Sequence, residues 1–478
     1  MNPTLSSAQI EAAMGPLRES NARFARTYPG DTWERQPVQT VYGGAQLFQA
    51  DTTVKLGQLA LKALETYAPH FGILARAVGL TGAETLPESW QELEQLRQQL
   101  EADPQGTKRI MPHAWRAWTV YNRVVEKLQR EPVEDFRIDF EDGYGNRPDA
   151  EEDKDAVRTA QEVAKGAKAG TLPPFIGIRV KPLTDQLFAR SVRTLDLFLS
   201  TLVAETGGQL PSQFIVTLPK VTAPEQVTAF VQLIAALEEK LGLPAGAVPI
   251  ELMVETTQSI MDSDGLLMLP LLVKASAGRC RGAHFGTYDY TASCNIIARY
   301  QSMVHPACDY ARSAMQVALA STGIMLSDGA TNIMPVPVHR GEGLNLIQQQ
   351  ENLKAVHAAW HLHFEHIQHS LSHALYQGWD LHPAQLITRY AAVFDFFLRD
   401  LDAATVRLNN FVAKAAQATL SGDVFDDAAT GRGLLNYFRL AYNCNAVTEA
   451  EIEAAGVSRS DLRGEGSGTS PWLDVLNR

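Results

Sequence analysis

Short β-branched and aromatic runs alternate along this chain with longer stretches of helical patterning, which predicts repeated βα units and a parallel sheet. The strand candidates are Val38–Tyr42, running into Gly43 and Gly44; Phe136–Phe140; Phe175–Val180, after two prolines; Phe214–Leu218, ending at Pro219; Pro249–Val254; and Gly282–Phe285, ending at Gly286. Ile324–Leu326 and Trp379–Leu381 bring the set to eight. Eight strands separated by helices predict an α/β fold, a (β/α)8 TIM barrel. Helix starts support this: Thr222-Ala-Pro-Glu225 reads as a capping box with proline in the first turn, and Asp149-Ala-Glu-Glu152 places acid where the helix dipole favours it.

The alternation breaks twice. Lys55–Gln129 reads as three or more helices before the second strand, a helical insertion after the first strand. Beyond about Ala418 the pattern is a helical C-terminal extension rich in Gly and Asp. The expected organisation is an N-terminal arm over residues 1–35, a barrel over 36–418 with its insertion at about 55–130, and the extension over 419–478. The most apolar stretch, Leu266–Val273, is short and holds Pro270, so no membrane span is expected.

The chain has 478 residues, 45% hydrophobic and 20% charged, ample for a large core. Its formal net charge of −12 argues against nucleic acid or an anionic membrane as the main partner, since both select for surplus Lys and Arg. The four cysteines, Cys280, Cys294, Cys308 and Cys444, form no CxxC pair, so reduced thiols and a cytoplasmic protein are expected. The N-terminal stretch lacks the basic and apolar regions of a signal peptide.

Chemistry in a parallel barrel sits at the carboxyl ends of the strands. Those ends carry Asp139, Glu141 and Asp142; Arg179 and Lys181; Lys220; Glu255; Gly286 and Asp289; and His382 and Gln385. Glu255 and Asp289 come from neighbouring strands. Two carboxylates with open positions suit Mg²⁺, which binds few protein groups and keeps several waters. Gly286 would allow the backbone to approach closely. Arg179, inside an apolar strand, fits either an ion pair with Asp139 or Glu141 or a fork for a substrate oxygen. Six histidines between His357 and His373 tempt a metal assignment. Helical spacing instead makes Leu353, Val356, Trp360, Phe364, Ile367 and Leu371 the buried stripe and puts His366, His369 and His373 on the solvent face.

Taken in order, these strand ends resemble the HpcH/HpaI aldolase and citrate lyase β-subunit family. IDFEDGYG (138–145) is similar to its D-L-E-D-x-V element, GIRV (177–180) to its arginine strand, and TLPKV (217–221) to its L-P-K segment. VETTQSI (254–260) resembles E-T-A-x-G, HFGTYDYTAS (284–293) resembles G-x-x-D-L, and GWDLHPAQL (378–386) resembles G-K-x-x-I-H-P-x-Q-I, with ARSAMQVALASTGI (311–324) like the helix between the last two. Lys181 stands where the family has asparagine. The resemblance implies a divalent cation, Mg²⁺ or another such as Mn²⁺, held by Glu255 and Asp289. Arg179 would bind a keto-acid or acyl carbonyl oxygen. Glu141 and Asp142 would support it, and Lys220 and Gly286 would line the substrate site. The implied reaction is aldol or Claisen cleavage of a carbon–carbon bond through a metal-stabilised enolate, on a 2-keto acid or a coenzyme A thioester. The implied assembly is a homo-oligomer. A malate-synthase-like acyl-CoA reaction and a non-catalytic metabolite-binding homologue are the alternatives.

Overall fold

A computed structural model of the chain describes residues 4–30, 34–417 and 428–463. A helix α1 (Ser7–Thr27) precedes the first strand β1 (Gln39–Gly44). Between β1 and β2 (Asp135–Asp139) run α2 (Thr52–Tyr67), α3 (Phe71–Val78), α4 (Trp90–Ala102), α5 (Pro104–Ile110) and α6 (Pro112–Arg130). Regular alternation follows: α7 (Asp149–Ala169), β3 (Phe175–Arg179), α8 (Phe188–Thr206), β4 (Phe214–Leu218), α9 (Pro224–Leu241) and β5 (Ile250–Val254). Two short helices, α10 (Thr257–Ile260) and α11 (Leu269–Ala275), lead to β6 (Cys280–Phe285). Then come α12 (Thr287–Ser293), α13 (Pro306–Leu319), β7 (Met325–Ala330), α14 (Leu346–Ser372), β8 (Gln377–Asp380) and α15 (Gln385–Gln417). The described chain ends with α16 (Ala428–Asn443), α17 (Glu449–Ala454) and α18 (Arg459–Arg463).

The eight strands pair in sequence order, all parallel, and β8 closes onto β1. The predicted TIM barrel is therefore the fold, with each strand within a few residues of its anticipated position. The helix start anticipated at Thr222 falls one residue later. Pro224 takes the first helical position, where its fixed φ sets the boundary, and Ala223 becomes the N-cap. Gln226, rather than Glu225, reaches back, its Oε1 accepting from the N–H groups of Thr222 (2.8 Å) and Ala223 (3.3 Å).

Strand periodicity decides what fills the barrel. In β2, Phe136 and Ile138 face the surrounding helices and join the main apolar core, as does Phe140 just beyond. The alternate positions Asp135, Arg137 and Asp139 point inward and are buried. In β5, Ile250 and Leu252 face out while Glu251 and Met253 face in, followed by Glu255. The interior is therefore polar. Arg137 pairs with Asp135 and, at 2.9 Å, with Glu251. Glu251 also accepts from Thr217 (2.8 Å) and meets His284 Nε2 (2.8 Å). Tyr42, on β1, donates to Glu251 at 3.2 Å and lies 3.0 Å from His284 Nδ1. No helix among the described residues is long and apolar enough to cross a membrane.

Candidate functional site

The rim at the carboxyl ends of β2 to β6 gathers the singled-out residues. Asp139 ends β2 fully buried, and its carboxylate organises the turn that follows. Its oxygens accept from the backbone N–H groups of Glu141 (3.0 Å) and Gly143 (2.7 Å). The same two oxygens accept from Arg179 Nε (2.7 Å) and one terminal nitrogen (2.5 Å), a bidentate pair between register-matched residues of adjacent strands. The other terminal nitrogen of Arg179 lies 3.3 Å from Glu141 and 3.9 Å from Asp142. Burial disfavours the Arg179 charge, but Asp139, Glu141 and Glu255 hold the guanidinium protonated, well above its ordinary value. The Tyr42 ring packs under it, 4.8 Å from guanidinium carbon to ring centroid. Both sequence readings of Arg179 thus begin from one fact: it is paired, and pairing fixes where it points.

Lys220 follows the proline that ends β4 and takes a left-handed backbone conformation, φ 50°, uncommon for a residue with a side chain. Its N–H donates to Glu255 Oε1 at 2.7 Å. Its ammonium lies 2.6 Å from Glu141, 3.1 Å from Asp142 and 3.5 Å from Asp289. The structure therefore places Lys220 as the cation shared by three of the singled-out carboxylates. Burial opposes its charge, but Glu255, Glu141 and Asp289 keep it protonated, above its ordinary value.

Glu255 directly follows β5 and is 1% exposed. Gly286 follows β6 and starts α12, whose first turn carries Asp289. Burial, with Asp289 and Glu141 nearby, pushes the Glu255 carboxyl up to about 8 against the pull of Lys220 and Arg179. Burial and the contact with Asp142 also raise Glu141. Asp142 goes the other way: burial would raise it, but Glu141, Arg179 and Lys220 together bring it below its ordinary value. Five carboxylates, those of Asp139, Glu141, Asp142, Glu255 and Asp289, thus share two cations. That acid surplus, offered by hard oxygen donors, fits a divalent cation of the Mg²⁺ type. Lys181, also singled out, points elsewhere: its ammonium donates to the Phe140 carbonyl (2.6 Å) and pairs with Glu152 (2.8 Å).

The histidine-rich helix α14 departs from expectation. Val356, Trp360, Phe364, Ile367 and Leu371 are buried as anticipated, but Leu353 is 39% exposed and His366 only 6%. His363 is buried as well, bonded to Thr388 Oγ1 at 2.6 Å. The helix is covered on more than one side, so a single-stripe reading misassigns His366. His369 and His373 do lie toward solvent, and with Asp309 of α13 they place ligand atoms within 4.8 Å of one another. Asp309 is already engaged by Arg312 at 2.6 Å and by His369 at 2.9 Å.

Tyr42 was not among the singled-out residues. Its signal lay in the period-two alternation of β1, which directs it to the same interior as Arg137 and Glu251.

Among solved structures, the chain is similar to a citrate lyase from Burkholderia xenovorans (18% identity over 70% of this chain and 92% of that one, TM-score 0.49). It is also similar to the malate synthase of Haloferax volcanii as a lead(II) complex (15%, 70% and 90%, TM-score 0.41). A third is an HpcH/HpaI aldolase/citrate lyase family protein from Burkholderia cenocepacia (15%, 44% and 74%, TM-score 0.29). No curated protein matches. One family model matches residues 17–468, and the chain belongs to the family it describes, Domain of unknown function (DUF6986).

Proposed function

We propose that this protein is a divalent-cation-dependent carbon–carbon lyase acting on a small 2-keto acid or on an acyl thioester of that class. The observation that carries the reading is the acid-rich rim in which Glu255 and Asp289 share Lys220, and Glu255 lies near the buried, clamped Arg179. The ordered strand-end motifs from IDFEDGYG to GWDLHPAQL support it.

Glu255 and Asp289 would hold the cation. When bound, it supplies positive charge beside an oxygen that becomes anionic and a point of chelation for a keto acid. The remaining roles belong to the chain. Arg179, oriented by Asp139, faces the substrate oxygen on which charge develops as the bond next to the carbonyl breaks. Preorganised charge of this kind is usually the largest catalytic term, with one lost donor costing on the order of 10²–10³ in rate. Glu141 orients Arg179 and Lys220 together. Lys220 limits the repulsion among the acids and, through its N–H, fixes one oxygen of Glu255.

The test is a pair of near-isosteric variants, Glu255→Gln and Asp289→Asn. Each is expected to abolish turnover of 4-hydroxy-2-keto acids and to remove the Mg²⁺-dependent rise in melting temperature, while circular dichroism stays as in the parent protein. Near-parental turnover by either variant with Mg²⁺ present would show the assignment to be wrong. Release of free thiol from an acyl-CoA supplied with a 2-keto acid would place the chemistry in the Claisen direction at the same site.

A further inference from the structure

Helix α1, capped at its N-terminus and holding Pro16 in its interior, carries an apolar face that nothing among the described residues covers. Its N-terminus is closed by a capping box in which Ser6 Oγ accepts from the N–H of Gln9 at 3.3 Å and the Gln9 side chain accepts from the N–H of Ser6 at 2.9 Å. None of its 21 residues is buried. Ile10, Met14, Leu17 and Phe24, with Tyr28 just beyond the last turn, are between 36% and 64% exposed. With Asn21 they fall at alternating steps of four and three, two positions in every seven residues. That is the repeat of two helices wound about each other, narrower than the stripe of a helix lying on a globular core. Gly15 and Pro16, which would disturb a packed face, lie off this seam.

We infer that α1 is a dimerisation arm that pairs in parallel with α1 of a second copy of this chain. The polar member of the seam selects the occupant and the direction. The steps place Met14, Asn21 and Tyr28 at one class of seam position and Ile10, Leu17 and Phe24 at the other. In a parallel pair each class meets its own counterpart, so Asn21 faces Asn21 of the second copy. An amide is both donor and acceptor, and the two side chains satisfy each other across the two-fold axis. A lone asparagine at this class of position is a known device for fixing register and strand number. In an antiparallel pair the classes cross. With Met14 opposite Leu17, each Asn21 would sit against Ile10 of the other copy and lose its partner. That arrangement does bring Glu11 of each copy beside Arg18 of the other. Those two residues already pair within the single chain, both more than 60% exposed, so the exchange adds little. A desolvated amide without a partner costs more than an exposed ion pair returns, and the parallel pair wins. In it the seam is flanked by Glu11 beside Ser6 and Arg18 beside Ala13, with no like charges facing. Helices of this length bury on the order of 1,000 Å² in total, the low end for specific interfaces, so the pairing depends on concentration.

Sedimentation velocity on the full chain over a concentration series tests this. The parent protein is expected to pass from monomer to dimer. Leu17→Glu should abolish the dimer without lowering the melting temperature, since no residue of α1 is buried. Ile10→Cys tests the direction. In the parallel pair the two introduced thiols face each other, and mild oxidation should yield a dimer joined at that position, read by peptide mass. In the antiparallel pair they would stand about 16 Å apart along the axis, beyond the reach of a disulfide. A monomer at every concentration, or a dimer that Leu17→Glu leaves intact, would overturn the arm as the interface. A dimer of Ile10→Cys that forms no cross-link at residue 10 would overturn the parallel pairing.

Discussion

A β-carbon on Gly286 would lie 2.6 Å from Glu255 Cβ and 2.7 Å from its Oε2, closer than such atoms ever approach. The φ of Gly286 is −98°, which any residue can adopt, so the demand is for space and not for an unusual backbone. Gly286→Ala would therefore fold, but Glu255 would have to move. A displacement of about 1 Å at a catalytic group can cost on the order of 10² in rate. The expected outcome is a loss of that order in kcat and weaker Mg²⁺ binding, read by isothermal titration, with a loss of about 1–3 kcal/mol in unfolding free energy because Glu255 Cβ is fixed by its backbone. Unchanged cation affinity would mean that Glu255 is not held by this contact. Arg179 is constrained from another side, with Asp139 fixing its edge and the Tyr42 ring its face. Tyr42→Phe keeps the ring and Tyr42→Leu removes it. If the ring matters, kcat falls in the second variant and largely survives in the first.

At the scale of elements, α14 shows how far periodicity reads. The apolar residues at three- and four-residue steps locate its core face, because that face is set by the residues themselves. The surroundings of His366 are set by the buried His363, one turn earlier on the same helix, and by Thr331, 2.9 Å from its Nδ1, which helical spacing cannot reveal. Burial, aided by His363, lowers His366 to about 4. The imidazole is then neutral when folded, while in the unfolded chain it protonates near its ordinary value of about 6.5. A lowered folded value means that this contribution to stability is complete above about pH 6.5 and is lost as pH falls toward 4, amounting to about 3 kcal/mol. Melting temperatures of the parent protein should fall over that interval more steeply than those of His366→Gln. Parallel curves would show that His366 is not the source of the loss.

At the scale of the molecule, the barrel and its polar interior differ in how much of each the sequence displays. Strand runs and the turns after them are local, so the eight strands could be placed from pattern alone. Asp135 and Arg137 pair locally, two apart on one face of β2, but that Glu251 of β5 meets them across the barrel depends on closure. The period-two charges of β2 were visible, but Glu251, which joins them from β5, was not. The resulting network has an energetic consequence. Arg137 is the cation between two buried carboxylates, and Asp135, fully buried, is raised above its ordinary value by burial even with Arg137 beside it. Removing one member of a buried ion-paired group strands the others and typically costs about 3–5 kcal/mol, whereas replacing the group by neutral residues costs far less. Arg137→Met should therefore lower the unfolding free energy in urea by that amount, and adding Glu251→Gln to it should recover a substantial part. A cavity of about 460 Å³ lined by Asp135, Arg137, Glu251 and His284 provides the competing outcome. If water enters there and solvates the carboxylates, Arg137→Met costs less than about 1 kcal/mol and the double variant shows no recovery, since an exposed or hydrated pair contributes little. The size of the double-variant recovery thus decides whether the barrel interior acts as a dry ion-paired core or as a hydrated one.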